Sequence, residues 1–410
     1  MIKKNLRTIL LGVTTLLLVY LYLLSISTET STQLIKKSSL INSNQEQDKA
    51  LKYLNQLRQG AGLVPFTSAK ILNQASKNHA DYLITNHTYG HYEERNKSNF
   101  TGKFASDRVI HEGYNTGLII ENVSSNNRNY KESIDGLFAA IYHRFAFLDF
   151  QGDEVGIAIK QNKHNPRETA FVYNIGSSAL NRLYTTDKKP SQEALTDALN
   201  RYKHINKKII TYPFDNQTDV PPVFFNEQPD PLPNHDVSGF PISISFNPVH
   251  FKIIKLLNFQ LFKGEEETPL FNTLVYDQKK DPNQRLEKFT FVLFPLERLE
   301  WNQEYRVKFL AVVDKQLLEK EWRFTTRNPS IPLHRIDNEK ETITVKVNEP
   351  HLFYFPPQSG KDLLHNVRYN NHFKMEFVDQ NTLKLIALKA SCLVNTISIG
   401  RHNLRLHIED

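Results

Sequence analysis

Hydrophobic spacing changes character once along this 410-residue chain, and that change restricts the folds open to it. From Gln45 to Ile141 apolar residues recur at helical intervals: Ala50, Leu51, Leu54 and Leu57, then Leu72, Ala75 and Leu83, then Ile134, Leu137, Phe138 and Ile141. Glu154 to Ile159 and Ala170 to Ile175 then read as strands that close the helical region. From Gly239 onward the runs alternate or are short and apolar: 239–246, 253–262, 289–294, 305–313 and 322–326. No long helical pattern interrupts them, so a β-sandwich is the economical reading. A last segment, Thr342 to Asp410, is again strand-like, and its histidines His351, His365 and His372 read as solvated loop residues. The chain is therefore expected to be a multidomain α+β protein.

Local signals refine the helical region. Gly60 and Gly62 supply a stop for the first helix, Leu63 to Phe66 an extended connector, and Ser68 an N-cap for the second. His79 falls on the apolar face of that second helix and reads as a hydrogen-bonded core histidine. Asn86 to Gly113 is a loop rich in His, Asn and Gly, which draws attention to His91 and Glu93. A helix from Tyr130 to Ile141 places Tyr142-His143-Arg144 at its carboxyl end, where a histidine meets the helix dipole.

The first residues carry Lys3, Lys4 and Arg7, followed by an uncharged apolar run from Ile9 to Ile26. That run fits a retained membrane anchor and a cleaved signal equally, and either predicts export of the remainder. Cys392 is the one cysteine, which excludes intrachain disulfides and any cysteine-based zinc site, so an exported chain must stand on its cores. Net charge is +7, or +4 without Lys3, Lys4 and Arg7, and no basic stripe with interleaved aromatics occurs, so nucleic acid is a poor partner. The expected organisation is a signal peptide or anchor at 1–28 and a flexible polar spacer at 29–44. A first domain follows at 45–180, then a linker with a short helix at 181–222 that ends in Pro221-Pro222. A β-sandwich at 223–328 and a β-rich C-terminal domain at 329–410 complete the chain.

Three spaced polar residues, His91, Glu121 and His143, sit among glycine and apolar positions with no need of them. Imidazoles and a carboxylate held in one cleft can bind a divalent cation or move a proton. Their spacing exceeds one helix face, so only the fold can bring them together.

With these residues in view, residues 45–176 resemble the CAP superfamily of cysteine-rich secretory, antigen 5 and pathogenesis-related 1 proteins, in its cysteine-free bacterial form. The resemblance rests on Leu54-Asn55-Gln56-Leu57-Arg58 with Gly62-Leu63, His79-Ala80, Phe100-Thr101-Gly102, Asp107-Arg108 and Gly113-Tyr114. Glu121-Asn122, Tyr142-His143-Arg144 and Val155-Gly156-Ile157-Ala158 complete it, with Ile120 where that family has glycine. It implies an α-β-α sandwich whose cleft joins two histidines with one or two acids, here His91, Glu121 and His143. The second acid has no clean match, and Glu93, Glu132 and Asp135 are candidates. Residues 240–326 resemble bacterial Ig-like modules through Trp301-Asn302, Tyr305-Arg306-Val307 and Trp322-Arg323-Phe324-Thr325-Thr326. Such modules imply a spacer or adhesive role.

The expected function is that of an exported CAP-domain protein, secreted or anchored at the bacterial cell envelope through its N-terminal segment. Its cleft would bind a small ligand or envelope component through His91, Glu93, Glu121 and His143, or zinc or another divalent cation through His91, Glu121 and His143. A metal-dependent hydrolase and a scaffold with a vestigial cleft are the alternatives. No serine or cysteine nucleophile is paired with a base, which disfavours covalent catalysis.

Overall fold

The computed structural model describes residues 28–31, 40–186, 189–338, 342–365 and 367–410. The signal or anchor expected at the amino terminus lies outside the described residues, apart from Thr28. Among the described residues no helix is long and apolar enough to cross a membrane. Two compact units form. One spans the described residues between Lys37 and Asn328 with Ser359–Lys361, and the other holds the described remainder.

The larger unit begins with an α-β-α sandwich. Strands Thr67–Ser68, Glu154–Gln161, Thr169–Gly176 and Ile120–Ser125 make its sheet in that spatial order. Side chains alternate across a strand, so one sheet serves two cores. Ala158, Ala170 and Val172 face the helix Lys70–Thr85 through Ala80, Tyr82 and Leu83. Ile157, Ile159, Phe171 and Tyr173 belong to the other core with Leu54, Leu57 and Phe138, which come from the helices Ser43–Ala61 and Tyr130–Ala139.

Helix Lys70–Thr85 lies close on the sheet because Gly156 has no side chain: a methyl there would sit 2.0 Å from the Leu72 carbonyl carbon. Ser76 Oγ donates to the Gly156 carbonyl at 3.0 Å across the same contact.

Local expectations are met in part. The first helix ends where Gly62 takes φ 97°, a left-handed value suited to glycine, and its N–H caps the Arg58 and Gln59 carbonyls. Ser68 does not cap the second helix: Ala69 holds the N-cap position, and Ser68 Oγ instead accepts from Asn73 Nδ2. The expected helix Tyr130–Ile141 stops at Ala139. Ala140 turns extended (φ −75°, ψ 110°) and a second helix, Ile141–Phe147, begins. His143 therefore lies in the first turn of a short helix, not at a carboxyl end.

A β-sandwich follows. One sheet has the order Thr273–Tyr276, Thr290–Pro295, Ile242–Phe246, Ile209–Tyr212; the other has Ile254–Lys263, Glu304–Val313, Gln316–Thr326, Gln217–Val220. Aromatic rings fill the space between: Phe309 lies 5.3 Å from Phe259, 5.6 Å from Phe291 and 5.7 Å from Phe246.

The stretch 181–222, read as linker, differs from that reading. Its last part supplies Ile209–Tyr212 and Gln217–Val220, one strand to each sheet, and Val220 and Pro222 are buried. Tyr212 stacks 4.6 Å from Phe138, and Arg144, itself buried, lies over the rings of Tyr212 and Phe240 at 5.1 and 4.8 Å. One continuous core therefore joins the helices to the sandwich.

The smaller unit is β-rich, as its alternating sequence implies. One sheet has the order Thr28–Ser31, Val367–Asn370, Ser391–Ile399, His402–Glu409, Thr342–Lys346, and the other Leu333–Arg335, Pro350–Tyr354, Thr382–Ala387, Phe373–Asp379. Thr28–Ser31 pairs antiparallel with Val367–Asn370, so the expected spacer at 29–44 includes strand residues at its start. His351 is not a solvated loop residue: it is buried in the strand Pro350–Tyr354 and shares a 3.0 Å hydrogen bond with His334.

Candidate functional site

The loop after helix Lys70–Thr85 is held by a buried hub. His79 and Glu93 pair at 2.9 Å with both side chains shielded from water, and the second nitrogen of His79 meets the Gly90 carbonyl at 3.0 Å. With Glu93 ionised, both ring nitrogens of His79 donate, because a carboxylate and a carbonyl only accept. Glu93 Oε2 also accepts from the backbone N–H groups of Thr101 (2.7 Å) and Gly102 (3.3 Å). Glu93 is therefore a buried structural anchor, 3.7 Å from Arg108 and with both oxygens engaged inside the protein, so it presents no free oxygen for the expected ligand-binding role. Gly90 takes φ 98°, and this turn delivers His91 to the cleft.

His91, Glu121 and His143 do converge. Nδ1 of His91 lies 3.0 Å from Glu121 Oε1, and the ring centroids of His91 and His143 lie 6.4 Å apart with planes 16° from parallel. Glu121 enters from the strand Ile120–Ser125, whose pairing with Thr169–Gly176 fixes its position opposite Asn174. Arg108 is the residue beneath this group. Buried in the helix Ala105–His111, it donates Nη2 to both Glu121 oxygens at 2.9 and 2.8 Å. Its Nη1 donates to the His91 carbonyl at 3.1 Å. Burial pushes the Glu121 carboxyl upward, but the His91 hydrogen bond and the Arg108 guanidinium outweigh it and hold the group below the ordinary glutamate range.

His143 has its own carboxylate. Its Nδ1 lies 2.8 Å from Glu227 Oε2, and Asn122 Nδ2 donates to its carbonyl at 2.9 Å. Glu227 follows the strand Val223–Phe225 and is 8% exposed. The neighbouring Tyr142 hydroxyl donates to Asp281 and accepts from Asn283 Nδ2 at 3.1 Å, so residues of the sandwich wall one side of the cleft. The carboxylate that pairs with His143 is thus Glu227. Glu132 instead closes on Arg128, and Asp135 on Tyr53, Lys131 and Arg327. Nothing in the sequence near His143 signals Glu227, because the pairing spans 84 residues.

These residues do not fit the three-ligand metal set. Both Glu121 oxygens are occupied by Arg108, and both imidazoles turn Nδ1 to a carboxylate. Among the described residues no group of three or more His, Cys, Asp or Glu is placed to hold a metal. What remains is a pair of oriented imidazoles. A proton held on Nδ1 by a carboxylate leaves Nε2 as a lone-pair acceptor in each neutral ring.

Residues 51–175 match the family model of the cysteine-rich secretory protein family, CAP. No curated protein matches the chain. Among solved structures it is similar to an outer surface protein from Borrelia burgdorferi, at 17% identity over 34% of this chain and 98% of that one, with a TM-score of 0.30. It is also similar to an extracellular protein containing an SCP domain from Bacillus anthracis str. Ames, at 16% identity over 35% of this chain and 46% of that one, with a TM-score of 0.28. Fibronectin(III)-like modules of CbhA from Clostridium thermocellum match at 11% identity over 49% of this chain and 94% of theirs, with a TM-score of 0.17. The sequence match and the α-β-α sandwich agree on one assignment: residues 51–175 of this chain form a CAP domain.

Proposed function

We propose that this chain is an extracytoplasmic protein of the bacterial cell envelope that binds a small ligand between His91 and His143. The observation that carries the reading is the pair of neighbouring imidazoles, each held by its own buried carboxylate. Two histidines so oriented are costly to maintain for packing alone, since both carboxylates are desolvated. His91 remains half exposed, so the pair is open to a ligand. The envelope location rests on the basic start and the apolar run Ile9–Ile26. The sandwich acts as more than a spacer in this reading, because Glu227 completes the cleft.

Thermal-shift screening of the full chain against sugars, amino acids, amines and inorganic phosphate tests the proposal. At least one compound should raise the melting temperature of the parent and not of His91→Ala or His143→Ala. Shifts that persist in both variants would place binding elsewhere.

A further inference from the structure

We infer that the ligand is a saccharide. In this arrangement two adjacent hydroxyls donate to His91 and His143, and an apolar sugar face lies on exposed aromatic rings beside them. This rests on the ligand-cleft reading above and names the ligand class of that site.

Three observations lead there. The first is the polarity of the hydrogen bonds on offer. With Nδ1 of each ring committed to Glu121 or Glu227, both Nε2 atoms accept, so the ligand must bring donors. The two ring centroids lie 6.4 Å apart, within reach of two donors carried by one small ligand. Neighbouring hydroxyls on a sugar ring supply that pair.

The second is charge. Arg108 answers Glu121 and also lies 3.7 Å from Glu93, which His79 hydrogen-bonds. Glu227 and Asp281 are met by hydrogen-bond donors, namely His143, the Tyr142 N–H and hydroxyl, and the backbone N–H groups of Asn283, Arg285 and Leu286. Arg144 also interacts with Glu227, so the carboxylates around the cleft are answered from within the fold; neither Arg108 nor Arg144 is left free to meet a phosphate or carboxylate ligand, which favours neutral hydroxyls as donors.

The third is the loop that carries His91. Tyr89 and Tyr92 flank it at 76% and 64% exposure, and Tyr92 meets Phe104 edge-on at 5.7 Å. Large rings left in water on a loop pinned by His79, Glu93 and Arg108 are pre-ordered, so they lose little conformational entropy on binding. A sugar ring has one apolar C–H face and a polar rim, which such rings beside two acceptors can satisfy together.

Isothermal titration of the full chain with cellotriose, mannotriose and chitotriose tests this, with choline and inorganic phosphate as comparison probes. At least one trisaccharide should bind. His91→Ala and His143→Ala should each weaken it about fivefold or more, and Tyr89→Ala and Tyr92→Ala about threefold or more. The two tyrosine rings are exposed, so those variants keep the fold and decide the matter even if a histidine variant does not fold. Trisaccharide affinity unchanged in the tyrosine variants overturns the inference. Choline or phosphate binding that depends on His143, with no saccharide bound, overturns it while the ligand-cleft reading stands. No binding by any probe removes both.

Discussion

Glu227 accepts the Nδ1 proton of His143 at 2.8 Å, from a segment that lies beyond the CAP match and packs with the β-sandwich. The histidine comes from one part of the larger unit and the group that sets its tautomer from another. The cleft is consequently a joint product of both.

That relationship predicts a tautomer. In ¹⁵N spectra of histidine-labelled full chain at neutral pH, His143 should carry its proton on Nδ1, and Glu227→Ala should release this preference. The same variant should lose about 1–3 kcal/mol in urea unfolding, the usual cost of stranding a buried hydrogen-bonding partner. An Nε2-protonated His143 in the parent would contradict the arrangement.

Glu121 predicts a pH dependence. Its folded pKa lies below the ordinary value of 4.5, so its contribution to stability is complete above that pH and is lost as pH falls through the lower folded value. Glu121→Gln leaves the buried Arg108 without its carboxylate and should cost roughly 3–5 kcal/mol at pH 7. The gap between parent and variant should narrow as pH drops below about 4.5. A gap constant from pH 7 to pH 3 would refute the assignment.

The helices and the sandwich should unfold together. Phe138 is buried between Phe147 at 5.4 Å and Tyr212 at 4.6 Å, so Phe138→Ala removes packing from both sides of the junction, about 3–5 kcal/mol. Calorimetry of the full chain should show the larger unit melting in one transition that this variant shifts whole. A fragment of residues 40–215, which a proline-rich boundary would suggest, lacks Ser243 and Phe240, partners of the buried Arg144, and should not melt cooperatively. Two separable transitions within residues 40–328 would show the junction to be weak.

In the smaller unit, His334 Nε2 and His351 Nδ1 lie 3.0 Å apart, and burial lowers the pKa of both, reinforced at His334 by His351 and opposed at His351 by Glu349. A shared hydrogen bond needs one donor and one acceptor, so charging both rings breaks it. Depressed histidine pKa values give stability that is complete above the ordinary 6.5 and is lost as pH falls through the folded values. Protection from hydrogen exchange across residues 342–358, corrected for the intrinsic rate, should therefore fall between pH 7 and pH 5, and His351→Phe should flatten that response. Equal protection at both pH values in the parent would exclude it.

Much of this architecture is written in local pattern. Leu54 and Leu57, or Ile157 and Tyr173, declare their elements because the period of burial matches the period of the backbone. His91, Glu121 and His143 stand out because polar residues recur in an ordered set of short motifs. Other features depend on partners far along the chain. Arg108 is visible in the sequence only as part of a motif, and its place under Glu121 follows from where the helix Ala105–His111 docks. Glu227 is hidden by its setting: prolines at 221, 222 and 229 look like an exposed linker, whereas here the chain between them is pressed into the core. Ser68 shows the opposite failure, a residue type suited to capping whose hydroxyl is recruited by Asn73.

Gly156 carries a long reach for a residue with no side chain. The backbone of helix Lys70–Thr85 occupies the space a methyl would take there. Any larger residue must lift that helix from the sheet. His79 rides on the helix and grips the Gly90 carbonyl, so the displacement would pass directly to the turn that aims His91. The distance between the two imidazoles is thus gauged from two strands away on the same face of the sheet, by an atom that is missing.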